Sequence, residues 1–596
     1  MIDNALIVLA ILILSLAVTA NSLWIDEGFT AWIAGHGSLL ALVNEIAPSA
    51  EDRQYPMYGL WILAWTHLFG SSEYAMRAAN IPFGALYVIA LALSSRLIFR
   101  RRFAWLPFAV APFAWFYMNE ARQYMMLLAS ATASAGALGV AIFGPQEART
   151  RAFSWFLWLS LLTCMTNILA FLAFPGVLLL LVAARERSAS ARFIASRALL
   201  FAPLFALVVC YYISTFAQSG AAAEIAENRG SSLAFSAENV YEQAGLAGIG
   251  PSRNAAHARP VLRSLLQYAV PLTSALMAYL LALILSLRKR PDPPPIAFLG
   301  AWVASLAFSA IVSYELQDRF LGRHMSAILP FLLIGSIGLF RSRIAVLLIA
   351  GVFVVSDFRL SLVPEYGKDD YRSAVNAVIE RTKHTGGTID WAADTLTAKY
   401  YGLVLHYTGH LPFADVVWRV RGTGMAVANW SNSRAEQLVG RQVRSGPVYV
   451  AMSRPDVYDI HGAWSRIVHR PGVTLLARFQ SFEIYSIGKC SAAPGDDRRR
   501  SRPSPSSLAE STCVDVHRTR EPAEACKTGW WLARVEGQRN GTPFRRTSSG
   551  VLRTFASTPE GQPSIQEPLP HRPAQVHCWQ ARSSPVVARS SGRSRS

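Results

Sequence analysis

The feature that most constrains this chain is a succession of apolar runs, each close to the length of a bilayer crossing, separated by loops that are strongly basic in alternation. A helix needs about 20 residues to traverse about 30 Å of hydrocarbon. Basic clusters fall at Arg96/Arg100/Arg101/Arg102, Arg149/Arg151, Arg185/Arg187/Arg192/Arg197, Arg288/Lys289/Arg290 and Arg341/Arg343. Because positive loops stay on the cytoplasmic side, the pattern predicts eleven spans, roughly 4–22, 78–98, 103–119, 124–143, 152–166, 168–184, 198–216, 269–287, 295–313, 325–340 and 344–358. The expected fold class is a polytopic α-helical membrane protein with a cytoplasmic N-terminus. The expected location is a bacterial inner (plasma) membrane.

Composition agrees, since 52% hydrophobic against 16% charged residues is too apolar for one soluble core of 596 residues. In a soluble protein the net charge of +19 would suggest nucleic acid. Here it has a topological origin, and no nucleic-acid partner is expected. The six cysteines show neither metal-ligand spacing nor a disulfide framework. The first apolar run lacks a basic leader and a small-residue cleavage site, so it reads as a retained span.

One apolar segment, Met57 to Phe69, is short for a crossing, and counting it as a span would invert every later loop. It is expected to lie in the interface with Tyr58, Trp61 and Trp65 at headgroup level, and Ser38 to Ile46 is a second membrane-parallel candidate. Residues 23–77 then form one long outer loop.

That loop opens with Trp24-Ile25-Asp26-Glu27-Gly28-Phe29, two adjacent carboxylates at the mouth of a span. An acid at the edge of lipid is solvated, paired or used. A simpler reading makes Asp-Glu the N-terminal cap of the next helix. Two further outer loops carry Glu120 with Arg122, and Arg319 with Arg323 and His324. Such a set suits transfer from a lipid phosphate: a carboxylate takes the nucleophile's proton, and guanidinium forks hold the phosphate. Snorkelling anchors and salt bridges are the competing reading. The stretch Gly245 to Gly250 has neither a preceding strand nor a βαβ setting, and is expected as a flexible loop rather than a phosphate cradle.

After Phe358 the composition becomes that of a soluble protein. A helix is predicted from Lys368 to Thr382, strands at Thr388–Ala392 and Val448–Met452, and a closing hairpin over Val473–Phe479 and Phe482–Ile487. His406, His410 and His461 read as surface or packing residues. The division expected is 1–358 membrane catalytic module, 359–489 extracytoplasmic α/β domain and 490–596 low-complexity disordered tail. The abrupt change at Cys490 also fits out-of-frame translation of a GC-rich gene.

The ordered series of Trp24 to Phe29, Gln54-Tyr55-Pro56-Met57-Tyr58-Gly59-Leu60-Trp61, Leu68 to Arg77 and Glu120-Ala121-Arg122-Gln123-Tyr124 resembles the GT-C integral-membrane glycosyltransferases. The nearest branch is that of the protein O-mannosyltransferases and aminoarabinose transferase, glycosyltransferase family 39. Arg323-His324 before Ile328-Leu329-Pro330 is similar to that module's late Arg-Tyr and proline pattern. The resemblance implies a polyprenyl-phosphate sugar donor and an envelope glycan, lipid or protein acceptor. Transfer would proceed with inversion on the outer face of the membrane, among membrane lipids. It implies Asp26 as base with Glu27 beside it, Glu120 at the second acidic position, and Arg122 and Arg323, with Arg319, toward the lipid phosphate. Tyr55, Pro56, Arg77, Tyr124 and His324 take supporting places. Gln54-Tyr55-Pro56 stands where the family has His-Pro-Pro, which removes one potential ligand and leaves a divalent metal requirement open. A lipid or solute transporter is the rival class, but neither midplane charges nor an inverted repeat is evident. A non-catalytic envelope scaffold is the third.

Overall fold

The computed structural model describes residues 2–35, 38, 56–185, 191–218, 233–252, 266–288, 292–316, 320–406 and 424–488, all within one compact unit. Tyr55, Arg319, His410, nearly all of the Ser38–Ile46 segment and the 490–596 tail lie outside the described residues.

Helices occupy the predicted apolar segments, but they differ in reach. Among the described residues, five are long and apolar enough to cross a membrane: Glu73–Phe99, Tyr124–Phe143, Ala269–Leu287, Pro293–Glu315 and Arg343–Leu362. Shorter apolar helices run over Asp3–Ser15, Leu106–Met118, Ile168–Ala183, Leu199–Ser214 and Leu329–Leu339. The chain is thus a multi-pass helical membrane protein. The 103–119 segment is not one rod: helices Leu106–Ala109 and Pro112–Met118 are separated at Pro112, which lacks the N–H a continuous helix would use. The 168–184 segment starts as a 3₁₀ turn over Ile168–Ala173 ahead of Pro175. The helix expected at 152–166 begins earlier, at Gln146, and takes in Arg149 and Arg151.

At the centre stands Tyr124–Phe143, whose run of Ala, Ser, Thr and Gly lets neighbours approach closely. A Cβ at Gly139 would meet Ile98 Cδ1 at 2.5 Å and Phe298 Cζ at 2.6 Å, so this helix packs at glycine contact distance. Around it Leu14, Tyr87, Leu91, Leu128, Phe298 and Ile334 form one continuous core. On the basic side Arg101 Nη1 donates to the carbonyls of Ile337 and Phe340, both at 3.0 Å, and closes the end of the Leu329–Leu339 helix.

Two expectations fail in the loops. The Gly245–Gly250 stretch is packed rather than loose: Leu246 and Ile249 are buried, and Gly248 N–H donates to Ser356 Oγ at 3.0 Å. A Cβ at Gly248 would lie 2.2 Å from the Ser356 carbonyl oxygen, so the glycine serves close backbone approach. In helix Pro56–Phe69, Trp61 and Trp65 donate their indole N–H groups to Ala79 and Ala75 carbonyls, while Tyr58 is buried instead of sitting at headgroup level.

Beyond the last span, six strands form a sheet in the order β2-β3-β1-β4-β6-β5: β1 Thr388–Ala392, β2 Leu405–His406, β3 Gly424–Ala426, β4 Val448–Ser453, β5 Val473–Phe479 and β6 Phe482–Ile487. β1 is parallel to β3 and β4, with Ile389 opposite Tyr449 and Trp391 opposite Ala451; β6 runs antiparallel to β4 and β5. Both faces are covered, as a parallel sheet requires: Tyr371, Val375 and Trp391 build one core, and Leu438, Val450 and Trp464 the other.

This α/β portion packs directly on the segment that follows the first apolar helix and on the start of the Glu73–Phe99 helix. Leu23 N–H donates to Tyr401 Oη at 2.7 Å, Arg372 N–H to Ser22 Oγ at 3.0 Å, and Arg372 Nη2 to Glu73 Oε1 at 2.6 Å. Helix Ile25–Ala34 meets helix Thr395–Tyr400 at Gly28, where a Cβ would fall 1.9 Å from Thr397 Oγ1. Only a residue without a side chain fits that crossing.

Candidate active site

The Asp-Glu pair does begin a helix, Ile25–Ala34, and Glu27 reaches back to the Trp24 N–H at 3.3 Å. That is half of the capping reading. The larger part of the bonding is long-range. Arg77 Nε donates to Glu27 Oε1 at 2.7 Å and Nη2 to Oε2 at 2.6 Å, and neither side chain has any solvent exposure. Ala121 N–H donates to Oε1 at 2.8 Å, and Lys368 Nζ lies 3.4 Å from the same oxygen. Burial works to raise the Glu27 carboxyl, but Arg77, Lys368 and these hydrogen bonds bring it down to about 2. Glu27 is a permanent anion.

Arg77 spends its other donors on the backbone of the turn before that helix, on the carbonyls of Thr19 at 3.0 Å, Asn21 at 2.7 Å and Ser22 at 3.0 Å. Adjacent in sequence, Asp26 points elsewhere. It pairs with Arg323 Nη1, and both side chains keep some exposure, 21% and 17%. The Arg323 guanidinium also lies over the rings of Trp24 at 5.8 Å and Tyr124 at 5.7 Å, which fixes its plane. Arg122 lies over Phe29 at 5.8 Å. His324 turns back into its own 3₁₀ turn, where Leu321 N–H meets Nδ1 at 3.2 Å. Pro56 starts the helix that carries Tyr58.

Glu120 is the odd member. It is buried, its backbone carbonyl accepts from Asn80 Nδ2 at 2.6 Å, and both carboxyl oxygens lack a hydrogen-bond partner among the described residues. Burial pushes the carboxyl up to about 7; Lys368 and Arg323 draw it down, Asp26 and Glu27 push it further up. The Tyr58 hydroxyl, close enough to feel Arg122, Glu27 and Glu120, is also buried and unpartnered, and burial raises its pKa. Buried polar atoms left unsatisfied mark the places where a ligand or its water would bond.

The structure therefore brings Asp26, Glu27, Arg77, Glu120, Arg122, Tyr124 and Arg323 into one cluster at the membrane face. Sequence reasoning missed Tyr58 as a site residue and Lys368 altogether. Lys368 opens the charged triplet Lys368-Asp369-Asp370 soon after the last span, which was the one available signal. Among the described residues no three His, Cys, Asp or Glu side chains gather as metal ligands. Glu27 is committed to Arg77, and Asp26 is paired with Arg323.

No protein-family model and no curated protein sequence matches the chain. Among solved structures it is similar to ArnT from Cupriavidus metallidurans in the apo state, at 15% identity and TM-score 0.39, covering 81% of this chain and 97% of that one. The same protein bound to undecaprenyl phosphate gives 14% identity and TM-score 0.35 over the same shares. The arabinofuranosyltransferase AftD from Mycobacteria gives 12% identity and TM-score 0.36, covering 82% of this chain and 41% of that one.

Proposed function

We propose that the protein is an integral-membrane glycosyltransferase that moves a sugar from a polyprenyl-phosphate donor to an acceptor of the bacterial envelope on the outer face of the inner membrane. The observation that supports this reading is the convergence of a partly exposed carboxylate–guanidinium pair, Asp26–Arg323, with a buried carboxyl, Glu120, that has no hydrogen-bond partner among the described residues. In the proposed reaction the acceptor hydroxyl oxygen attacks the anomeric carbon, its proton passes to a carboxylate, and the sugar–phosphate bond breaks. The phosphate oxygen leaves with the bonding electrons and is stabilised by Arg323 and Arg122. Asp26 is the proposed base and Arg323 the proposed phosphate contact, which requires their present pairing to open when the donor enters. Glu120, its carboxyl pushed up to about 7 by burial, is the proposed relay or second base. Glu27 keeps the part of an anion that positions the two loops, not of a proton carrier.

The test is direct. Purified protein is incubated with radiolabelled polyprenyl-phosphate sugars and envelope extract, while the glycans and lipids of a deletion strain are compared with the parent's by mass spectrometry. Release of polyprenyl phosphate together with a glycan or glycolipid missing from the deletion strain is expected. Intact donor and an unchanged envelope overturn the proposal.

A further inference from the structure

The α/β portion reaches into this site through Lys368. Lys368 follows the last span by a few residues and turns inward: its ammonium donates to the Asn119 carbonyl, lies 3.4 Å from Glu27 Oε1 and stands 5.9 Å from the centre of the Phe116 ring. Only 10% of the side chain is exposed. Asn119 immediately precedes Glu120 and is itself anchored, its Oδ1 accepting from Thr19 N–H at 2.9 Å and Thr19 Oγ1 at 3.0 Å. The lysine thus fixes the backbone from which Glu120 projects. It brings a positive charge to a carboxyl that has no hydrogen bond of its own.

We propose that Lys368 is a positioning residue for Glu120, anchoring the backbone from which it projects and placing a cation in the same buried cluster, so that the α/β portion is part of the catalytic apparatus. The inference rests on the transferase reading for the consequence but not for the coupling. The charges and titratable groups that face Glu120 come from several elements: Asp26 and Glu27 on the first-loop helix, Tyr58 on the helix after it, Arg77 at the start of the next span, Tyr124 on the central helix, and Arg323 on the late 3₁₀ turn. Among the cations, Lys368 does most to favour the charged form of Glu120. Burial pulls the lysine itself toward neutrality and Arg77 adds to this, while Glu27 and Glu120 oppose it.

The experiment follows the protonated-carboxyl band of Glu120 by infrared titration of purified full-length protein, with Glu120→Gln identifying the band. Lys368→Met and Lys368→Arg are compared with wild type. Removing the cation is expected to move the Glu120 titration upward by about one pH unit or more, while arginine keeps it within about half a unit. In the transfer assay the acidic limb of kcat/KM moves by the same amount in Lys368→Met, so activity lost near pH 6.5 returns at higher pH with donor KM little changed. A Glu120 band that stays in place in Lys368→Met, or activity lost equally at every pH, overturns the proposal. Lys368→Gln serves as the second neutral variant should the methionine protein be recovered poorly. If the band moves as expected in a protein that transfers no sugar, the coupling stands and the transferase reading falls instead.

Discussion

Glu27 and Arg77 face each other through two parallel N–H···O contacts of 2.7 and 2.6 Å, in a site closed to solvent on both sides. The pair joins the first outer loop to the start of the next span, fifty residues later in the chain. A buried pair of this kind is a weak source of net stability when intact and a large liability when halved.

Arg77→Met therefore strands a buried anion and should destabilise the protein by about 3–5 kcal/mol, seen as early loss of the monodisperse peak after heating in detergent. Glu27→Gln/Arg77→Met should recover part of that loss, because the amide oxygen still accepts the Ala121 N–H. A double variant no better than Arg77→Met refutes the account.

Asp26→Asn should leave insertion and melting temperature nearly unchanged while lowering sugar transfer by about 10²–10⁴, the usual worth of a positioned base. Transfer within threefold of wild type by the purified variant removes Asp26 from the proposed role.

Arg323→Ala should raise the donor KM by about tenfold or more, the scale of one charge-assisted hydrogen bond. Tyr124 and Trp24 lose their cation but keep their packing, so folding should be spared. Equal donor affinity in binding assays contradicts the phosphate contact.

Glu120 and Glu27 impose opposite pH dependences on stability. The Glu120 carboxyl is raised to about 7 from 4.5, so the stability it contributes is present below about 4.5 and lost as pH rises through about 7. Glu27, lowered to about 2, contributes above 4.5 and loses its contribution as pH falls through about 2. Melting temperature should fall between pH 5 and 7.5 by a few degrees in wild type and stay flatter in Glu120→Gln. An identical slope in both proteins rules Glu120 out as the titrating group.

Gly28→Ala places a methyl group against the Thr397 side chain and backbone N, the latter at 2.8 Å. Loosened contact between the first-loop helix and the α/β portion, read as faster proteolysis of the latter, is the expected result. Thr397→Ala should relieve only part of it, since the backbone contact remains. Wild-type protease resistance in Gly28→Ala tells against the close crossing.

Much of this arrangement was legible in the chain because charge is conspicuous at the edge of an apolar run. Asp26, Glu27, Glu120, Arg122 and Arg323 stood out for that reason, and β1, β4, β5 and β6 were visible as apolar, β-prone runs, while the two- and three-residue strands β2 and β3 were too short to show. The break at Pro112 was not read, because whether a proline breaks a span or only kinks it depends on neighbours that satisfy the freed carbonyls. Which acid does what was not legible. Asp26 and Glu27 are adjacent, yet on a helix they point about 100° apart, and only the positions of Arg77 and Arg323 show one to be sealed and the other open. Lys368 escaped notice because a lysine in soluble composition is unremarkable until the fold carries it under the membrane-face loops. Tyr58 was assigned to the interface by the statistics of aromatic belts, which describe lipid-facing residues and not one buried against Glu27 and Arg122.

The contacts of residues 368–401 with the first outer loop also order events in time. Asp26 and Glu27 are synthesised early, whereas Lys368, Arg372 and Tyr401, which contact the same loop and its neighbours, follow only after the last apolar helix. A nascent chain thus holds its acids without the group that anchors Asn119 until that last stretch arrives. The transferase proposed here is assembled by the completion of its own translocation.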